Sequence, residues 1–210
     1  MKGSFGKLGA AVLFFCFTLF ASAQQPPAAD KPSAAEALAR YEKLLQATSD
    51  QSERFYLTTK AAPTALAAGD PVKAKTYARS LLEQAAALRG NWNYGNAIHV
   101  ANLVLGRIAL SSGDAAEAGR LLLEAGRTPG SPQLNSFGPN MLLAKELLAK
   151  GEREAVVQYF DLCANFWRDR QGMLSQWKAA VQKGVEPKFG ANLDYQLETW
   201  RFEKWDKLQH

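Results

Sequence analysis

Asn96, His99 and Asn102 follow one another at three-residue steps in the run NWNYGNAIHVAN, 91–102, the one polar cluster in the chain that invites a chemical reading. On a helix that spacing places all three on one side, with amide groups flanking an imidazole. Such a set suits a hydrogen-bonding site for a small molecule or a cell-wall ligand, with Trp92 and Tyr94 close by. The plainer reading, which the residue types favour, is local: asparagine commonly satisfies nearby backbone groups. Here those groups would belong to the loops around 90–94 and 137–139. The rest of the inventory points away from catalysis. There are two histidines, His99 and the last residue, His210, and no HExxH, CxxC, CxxCH, GxSxG or phosphate-loop pattern. Carboxylates such as Asp161 and Glu198 occur singly on amphipathic stretches, where solvation is the ordinary fate of a charge. Two lone histidines make a poor ligand set for a metal ion. The sequence predicts no catalytic residue, no metal site and no cofactor.

The elements that would position these residues are helices. From Ser33 onward alanine and leucine dominate and apolar residues recur three and four apart, the pattern of an amphipathic helix. Leu38, Tyr41, Leu44 and Leu45 make a first stripe. A second segment, 51–68, carries Phe55, Leu57 and Leu66, with Pro63 expected to bend or split it. A third runs to about Leu88 and buries Ala74, Ala78, Leu81, Leu82 and Ala85. In the fourth, Ile98, Ala101, Leu105 and Ile108 form one stripe, while Val100, Leu103, Val104 and Leu110 cover much of the rest; a helix apolar on nearly all sides is sandwiched between neighbours. The fifth turns Ala118, Leu121, Leu122 and Ala125 inward and Glu117, Arg120 and Glu124 outward. The stretch TPGSPQLNSFGPNMLLA, 128–144, has three prolines, two glycines and no acidic or basic residue. It reads as a joint, with Leu134 and Phe137 pinning it to the core and Pro139 starting a helix that ends at Lys150. Further helices are expected over 152–168, with Ala155, Val156, Tyr159, Phe160, Cys163, Phe166 and Trp167 inward, and over 173–183. The tail from Phe189 favours helix and a capping role.

The first 23 residues carry a positive start at Lys2 and Lys7, an uncharged run from Leu8 to Phe20 and a small-x-small site at Ala21-Ser22-Ala23. That is the layout of a secretory signal peptide. The run of 13 residues falls short of the roughly 20 a membrane-spanning helix needs, so no stable membrane anchor is expected after cleavage. Residues 24–32, QQPPAADKP, read as a flexible leader. The formal charge of the whole chain is +5, and losing Lys2 and Lys7 lowers it to +3, too little for a nucleic-acid partner. One cysteine, Cys163, remains after Cys16 is removed, so no internal disulfide forms. Together these features point to an exported bacterial protein, periplasmic or secreted.

Three segments end one helix with glycine and begin the next with an acidic residue: LAAGDPVKA, LSSGDAAEA and LAKGEREAV. Their glycines, Gly69, Gly113 and Gly151, are 44 and 38 residues apart. The run LVLGRIALSSGDAAEAGRLLLEA, 103–125, resembles the tetratricopeptide repeat, with Leu105-Gly106 in the first helix, Gly113 at the turn and Ala118, Leu122 and Ala125 in the second. The resemblance is fair over 140–163 and faint over 58–81. The spacings exceed the family's usual value of about 34, the early aromatic is missing and the closing proline is displaced. A generic alanine-rich bundle is the alternative.

The resemblance implies an all-α, single-domain stack of antiparallel hairpins over 33–210, with 189–210 as its cap. It also implies a concave groove, lined by the first helix of each hairpin, that docks a protein or peptide. Val100, Leu103, Arg107 and Ser111 would present from one such helix and Met141 and Lys145 from the next. Arg107 and Lys145 superpose, so the partner would be acidic. Asn140 superposes on Asn102 and joins the polar candidates. Self-association through the aromatic tail, Trp200, Phe202 and Trp205, stays open as a further role.

Overall fold

The computed structural model describes residues 32–169, 171–198 and 201. The expected signal peptide, nearly all of the leader, and the aromatic tail at Trp200, Phe202 and Trp205 lie outside them. Nine α-helices and no strand occur among the described residues. In chain order they are α1 (Ala34–Ala47), α2 (Gln51–Ala67), α3 (Pro71–Ala85), α4 (Tyr94–Ser111), α5 (Ala115–Gly126), α6 (Pro132–Phe137), α7 (Leu142–Leu148), α8 (Arg153–Cys163) and α9 (Met173–Gln182). All lie in one compact unit, 31–210.

Local chemistry sets most boundaries. Ser33 caps α1 in a full capping box with Glu36, its hydroxyl taking the Glu36 N–H while the Glu36 carboxylate takes the Ser33 N–H, which satisfies two otherwise orphaned donors. Three corners then repeat one geometry. Gly69, Gly113 and Gly151 sit at φ +80°, +87° and +90°, a region that a side chain disfavours. At each, the next residue's N–H reaches back five residues, from Asp70 to Ala65, from Asp114 to Ala109 and from Glu152 to Leu147. This closes the preceding helix in a Schellman turn. Asp70 and Asp114 also accept from the N–H three residues on, at 2.9 Å each. Glu152 makes no such cap, so the third corner is held by backbone alone.

These corners fold the chain into helical hairpins, α2 with α3, α4 with α5, and α7 with α8, which stack with α1 and α9 at the ends. The first helices α2, α4 and α7 pack in succession, and α5 packs on α8. The core runs through the stack, with Tyr41, Phe55, Leu81, Leu103, Leu122, Leu134, Met141, Leu143, Leu147, Tyr159, Phe160 and Phe189 almost wholly buried.

Several sequence expectations shift. Pro63 does not split α2, which runs unbroken through it with Ala61 to Ala65 buried. The joint at 128–138 contains the short helix α6; Leu134 is buried as expected, but Phe137 is 64 % exposed, its ring tilted at 56° to that of Tyr195 with 5.4 Å between centroids. The helix expected from Pro139 begins at Leu142, because Asn140 is engaged elsewhere. α8 stops at Cys163 and not near Arg168. The described part of the tail forms a 3-10 turn, Gly190–Leu193, followed by irregular turns through Leu197; neither an extended helix nor a strand forms over 189–198.

Candidate functional site

The polar residues picked out by spacing separate into two clusters and one outlier. His99 on α4 is completely buried. Its Nδ1–H donates to the Ala125 carbonyl on α5 at 3.0 Å, and its Nε2 accepts the Asn140 backbone N–H at 3.1 Å. Both ring nitrogens are thereby spent, one on α5 of its own hairpin and one on the segment leading into α7, in the neutral tautomer. Burial depresses the imidazole to about 4, opposed by the Ala125 carbonyl. A histidine in this state neither binds a ligand nor shuttles a proton at neutral pH; it is a structural crosslink.

Asn140 is the second half of that crosslink. Its side-chain amide donates to the carbonyls of Leu193 and Tyr195 at 2.8 and 2.7 Å, its Oδ1 accepts the Leu142 N–H, and its own carbonyl accepts the Tyr159 hydroxyl. Every polar group of this buried residue is paired, which is what makes its burial tolerable. Asn102 stands apart: its amide bonds back to the Ile98 carbonyl. Cys163 is buried and burial pushes its thiol well above the usual range, so it is no nucleophile.

Asn96 anchors a different network at the start of α4. Its Oδ1 accepts from Ser131 Oγ at 2.6 Å and Gln196 Nε2 at 3.0 Å, and its Nδ2 donates to Asn93 Oδ1 and Gln133 Oε1. Asn93 in turn donates to Thr59 Oγ1 at 2.8 Å. Spacing pointed to Asn96 but not to Ser131, Gln133 or Gln196, which come from distant parts of the chain.

The expected docking surface is not open. Val100, Leu103 and Met141 are buried, because α2 and α7 pack directly on α4 and the segment 189–198 covers the approach to α7. The Met141 N–H donates to the Asn192 carbonyl at 2.8 Å. Arg107 is not a free cation: its guanidinium makes a forked pair with Glu146 on α7, with contacts of 2.8 to 3.0 Å. Lys145 reaches Glu186 at 3.3 Å. Ser111 is exposed, its hydroxyl turned back to the Ile108 carbonyl.

The open surface is on the other side of α4. A groove of about 850 Å³ runs between α3 and α5 with α4 as its floor. Leu82, Tyr94, Ile98, Leu105, Ile108 and Ala109 line it, half-buried and packed on the core beneath. One wall carries Lys75 and Arg79 on α3 and Arg89 just beyond it, all exposed and without an ion-pair partner among the described residues. The other wall carries Asp114, Glu117, Arg120 and Glu124. Its glutamates are paired: Arg120 pairs with Glu117 at 2.7 Å and reaches Glu124 at 4.0 Å, and Glu124 also meets Arg127 at 2.6 Å, while Asp114 accepts the Glu117 N–H. The stripe Ile98, Leu105, Ile108, read from sequence as one more buried face of α4, is this floor.

No group of three or more metal-ligating side chains occurs among the described residues, and none of their helices is long and apolar enough to cross a membrane. No protein-family model, curated protein or solved structure matches the chain.

Proposed function

We propose that this protein is an exported, non-catalytic interaction module, a tetratricopeptide-like stack that docks an acidic amphipathic segment of a partner protein in the groove between α3 and α5. The observation that carries this reading is the uncompensated basic wall above an apolar floor, Lys75, Arg79 and Arg89 beside Leu82, Ile98, Leu105 and Ile108. An amphipathic helix laid in such a groove buries its apolar face on the floor and sets its carboxylates against the cations. On the facing wall Glu117 and Glu124 are held by Arg120 and Arg127, and Asp114 caps α5. The three equivalent glycine corners support the repeat reading, and the signal-like start supports export.

Site-specific photo-crosslinking in cells tests it, with a benzophenone side chain placed at Ala86 in the groove or at Val185, exposed and outside it. A discrete adduct from position 86 alone, lost when Lys75, Arg79 and Arg89 are all changed to Glu and the helical circular dichroism is unchanged, is the expected outcome. Identical adducts from both positions, or an adduct indifferent to charge reversal, would exclude the groove.

A further inference from the structure

We propose that the cleft beside the N-terminus of α4 binds a saccharide ring through Trp92 and Gln196. The cleft, about 160 Å³, is lined by Tyr56, Lys60, Trp92, Asn93, Gln133, Tyr195 and Gln196, with Thr59, Asn96 and Val100. It lies apart from the groove and shares no lining residue with it.

Three observations converge on a hydroxylated ring. First, Trp92 is half exposed although it packs against Tyr56, centroids 5.4 Å apart and planes 43° apart. Lys60 lies 5.3 Å from the Tyr56 ring centre. The two rings form an angled aromatic wall, the surface on which the C–H face of a sugar is buried without losing its hydroxyls to an apolar site. Secondly, the lining also carries four carboxamides, Asn93, Asn96, Gln133 and Gln196. These offer neutral donors and acceptors side by side, which matches hydroxyl groups that must both give and take a hydrogen bond. Among the described residues the cleft's one cation, Lys60, lies over the Tyr56 ring at 5.3 Å, and no guanidinium that could fork onto a phosphate or carboxylate lines the cleft.

Thirdly, one acceptor is left over. Gln196 is 8 % exposed; its Nε2 donates to Asn96, while its Oε1 is buried and takes no hydrogen bond. Such an atom is uncommon in a folded protein. Gln196 is also held at φ +69°, the one positive φ at a residue other than glycine among those described, a strained conformation that tends to mark functional positions. Asn96 cannot take that role, since its oxygen already accepts twice and its amide donates twice. The lining of one cleft thus holds an unanswered carbonyl, on a residue at positive φ, together with an exposed indole.

Free sugars and the ends of polysaccharide chains share this chemistry, and one titration separates them. Glucose, galactose, N-acetylglucosamine and the β-1,4-linked disaccharide and tetrasaccharide of N-acetylglucosamine are each titrated against the full chain. Tryptophan emission and saturation-transfer NMR report the binding. Expected is saturable binding of at least one sugar, with ring protons saturated most strongly, weakened tenfold or more by Trp92→Ala and by Gln196→Leu. A gain from monosaccharide to tetrasaccharide assigns the site to a chain; equal affinity assigns it to a single ring. Trp92 is exposed enough that its alanine variant folds, and circular dichroism checks this. Absence of saturable binding at tens of millimolar for every sugar, or binding that Trp92→Ala leaves intact, overturns the proposal.

Discussion

The two junctions between successive hairpins are built from the same parts and end differently. Between the second and third hairpins, α5 meets α8 closely. Gly119 and Gly126 sit on the facing side of α5, where added β-carbons would lie 3.4 Å from Ala155 Cβ and 2.9 Å from Leu162 Cβ. Between the first and second hairpins the corresponding faces carry Lys75, Arg79, Glu117, Arg120 and Glu124, and the groove stays open. Small residues let backbones approach; long charged ones keep them apart while their stems cover the apolar floor. Both junctions are packed, the first through α2 and α3 on α4; the difference is that α5 and α8 meet directly while α3 and α5 stand apart over α4, and it resides in a few side chains on α3 and α5.

That contrast can be broken from the second junction first. Gly95→Ala is expected to lower unfolding free energy by more than about 3 kcal/mol, because the new methyl would meet the Gly130 carbonyl oxygen, which belongs to the backbone of the joint and cannot rotate away. Urea denaturation measures it, and a near-neutral result would show the joint to be pliable.

His99 ties the same junction and gives it a pH dependence. Its folded value, about 4, lies below the ordinary 6.5, so the unfolded chain takes up a proton first as pH falls. The stabilisation is full above about 6.5, declines as pH drops towards 4 and is gone below that, a total of about 3 kcal/mol. Denaturation series between these limits should show that loss in the native chain and a flatter profile in His99→Gln.

Gly126→Ala should cost about 2 kcal/mol, since Leu162 and Tyr159 stand 2.9 and 3.0 Å from the new carbon. Arg107→Ala removes a half-exposed pair between α4 and α7 and should cost about 1 kcal/mol. At the groove, Arg79→Glu should change stability by less than about 0.5 kcal/mol. Equal losses at both junctions would show that the groove is tightly coupled to the fold and not a free surface.

What could be read in advance was whatever depended on neighbours in sequence. The glycine-acid corners at 69, 113 and 151, the Ser33 start and the inward faces of α1, α5, α8 and α9 are local matters of dihedral preference, capping and periodicity. The groove was hidden because an apolar stripe looks alike whether it faces a core or a slot, and Ile98, Leu105 and Ile108 gave no local sign that α3 and α5 stand apart. Arg107 and Lys145 looked like partner-seeking cations because Glu146 and Glu186 find them only in three dimensions. Asn140 was singled out through its register with Asn102, yet its real partners are carbonyls of the C-terminal segment, 53 and 55 residues away.

Those long-range bonds bear on how the protein is made. A nascent chain emerging from the ribosome can close the corners at Gly69 and Gly113 as it grows, but the amide of Asn140 waits for Leu193 and Tyr195, and Asn96 waits 100 residues for Gln196. Fastening of the joint before the third hairpin therefore comes only after residues 193–196 have emerged, and a polypeptide cut short near residue 190 would leave its central helices built and its joint unfastened.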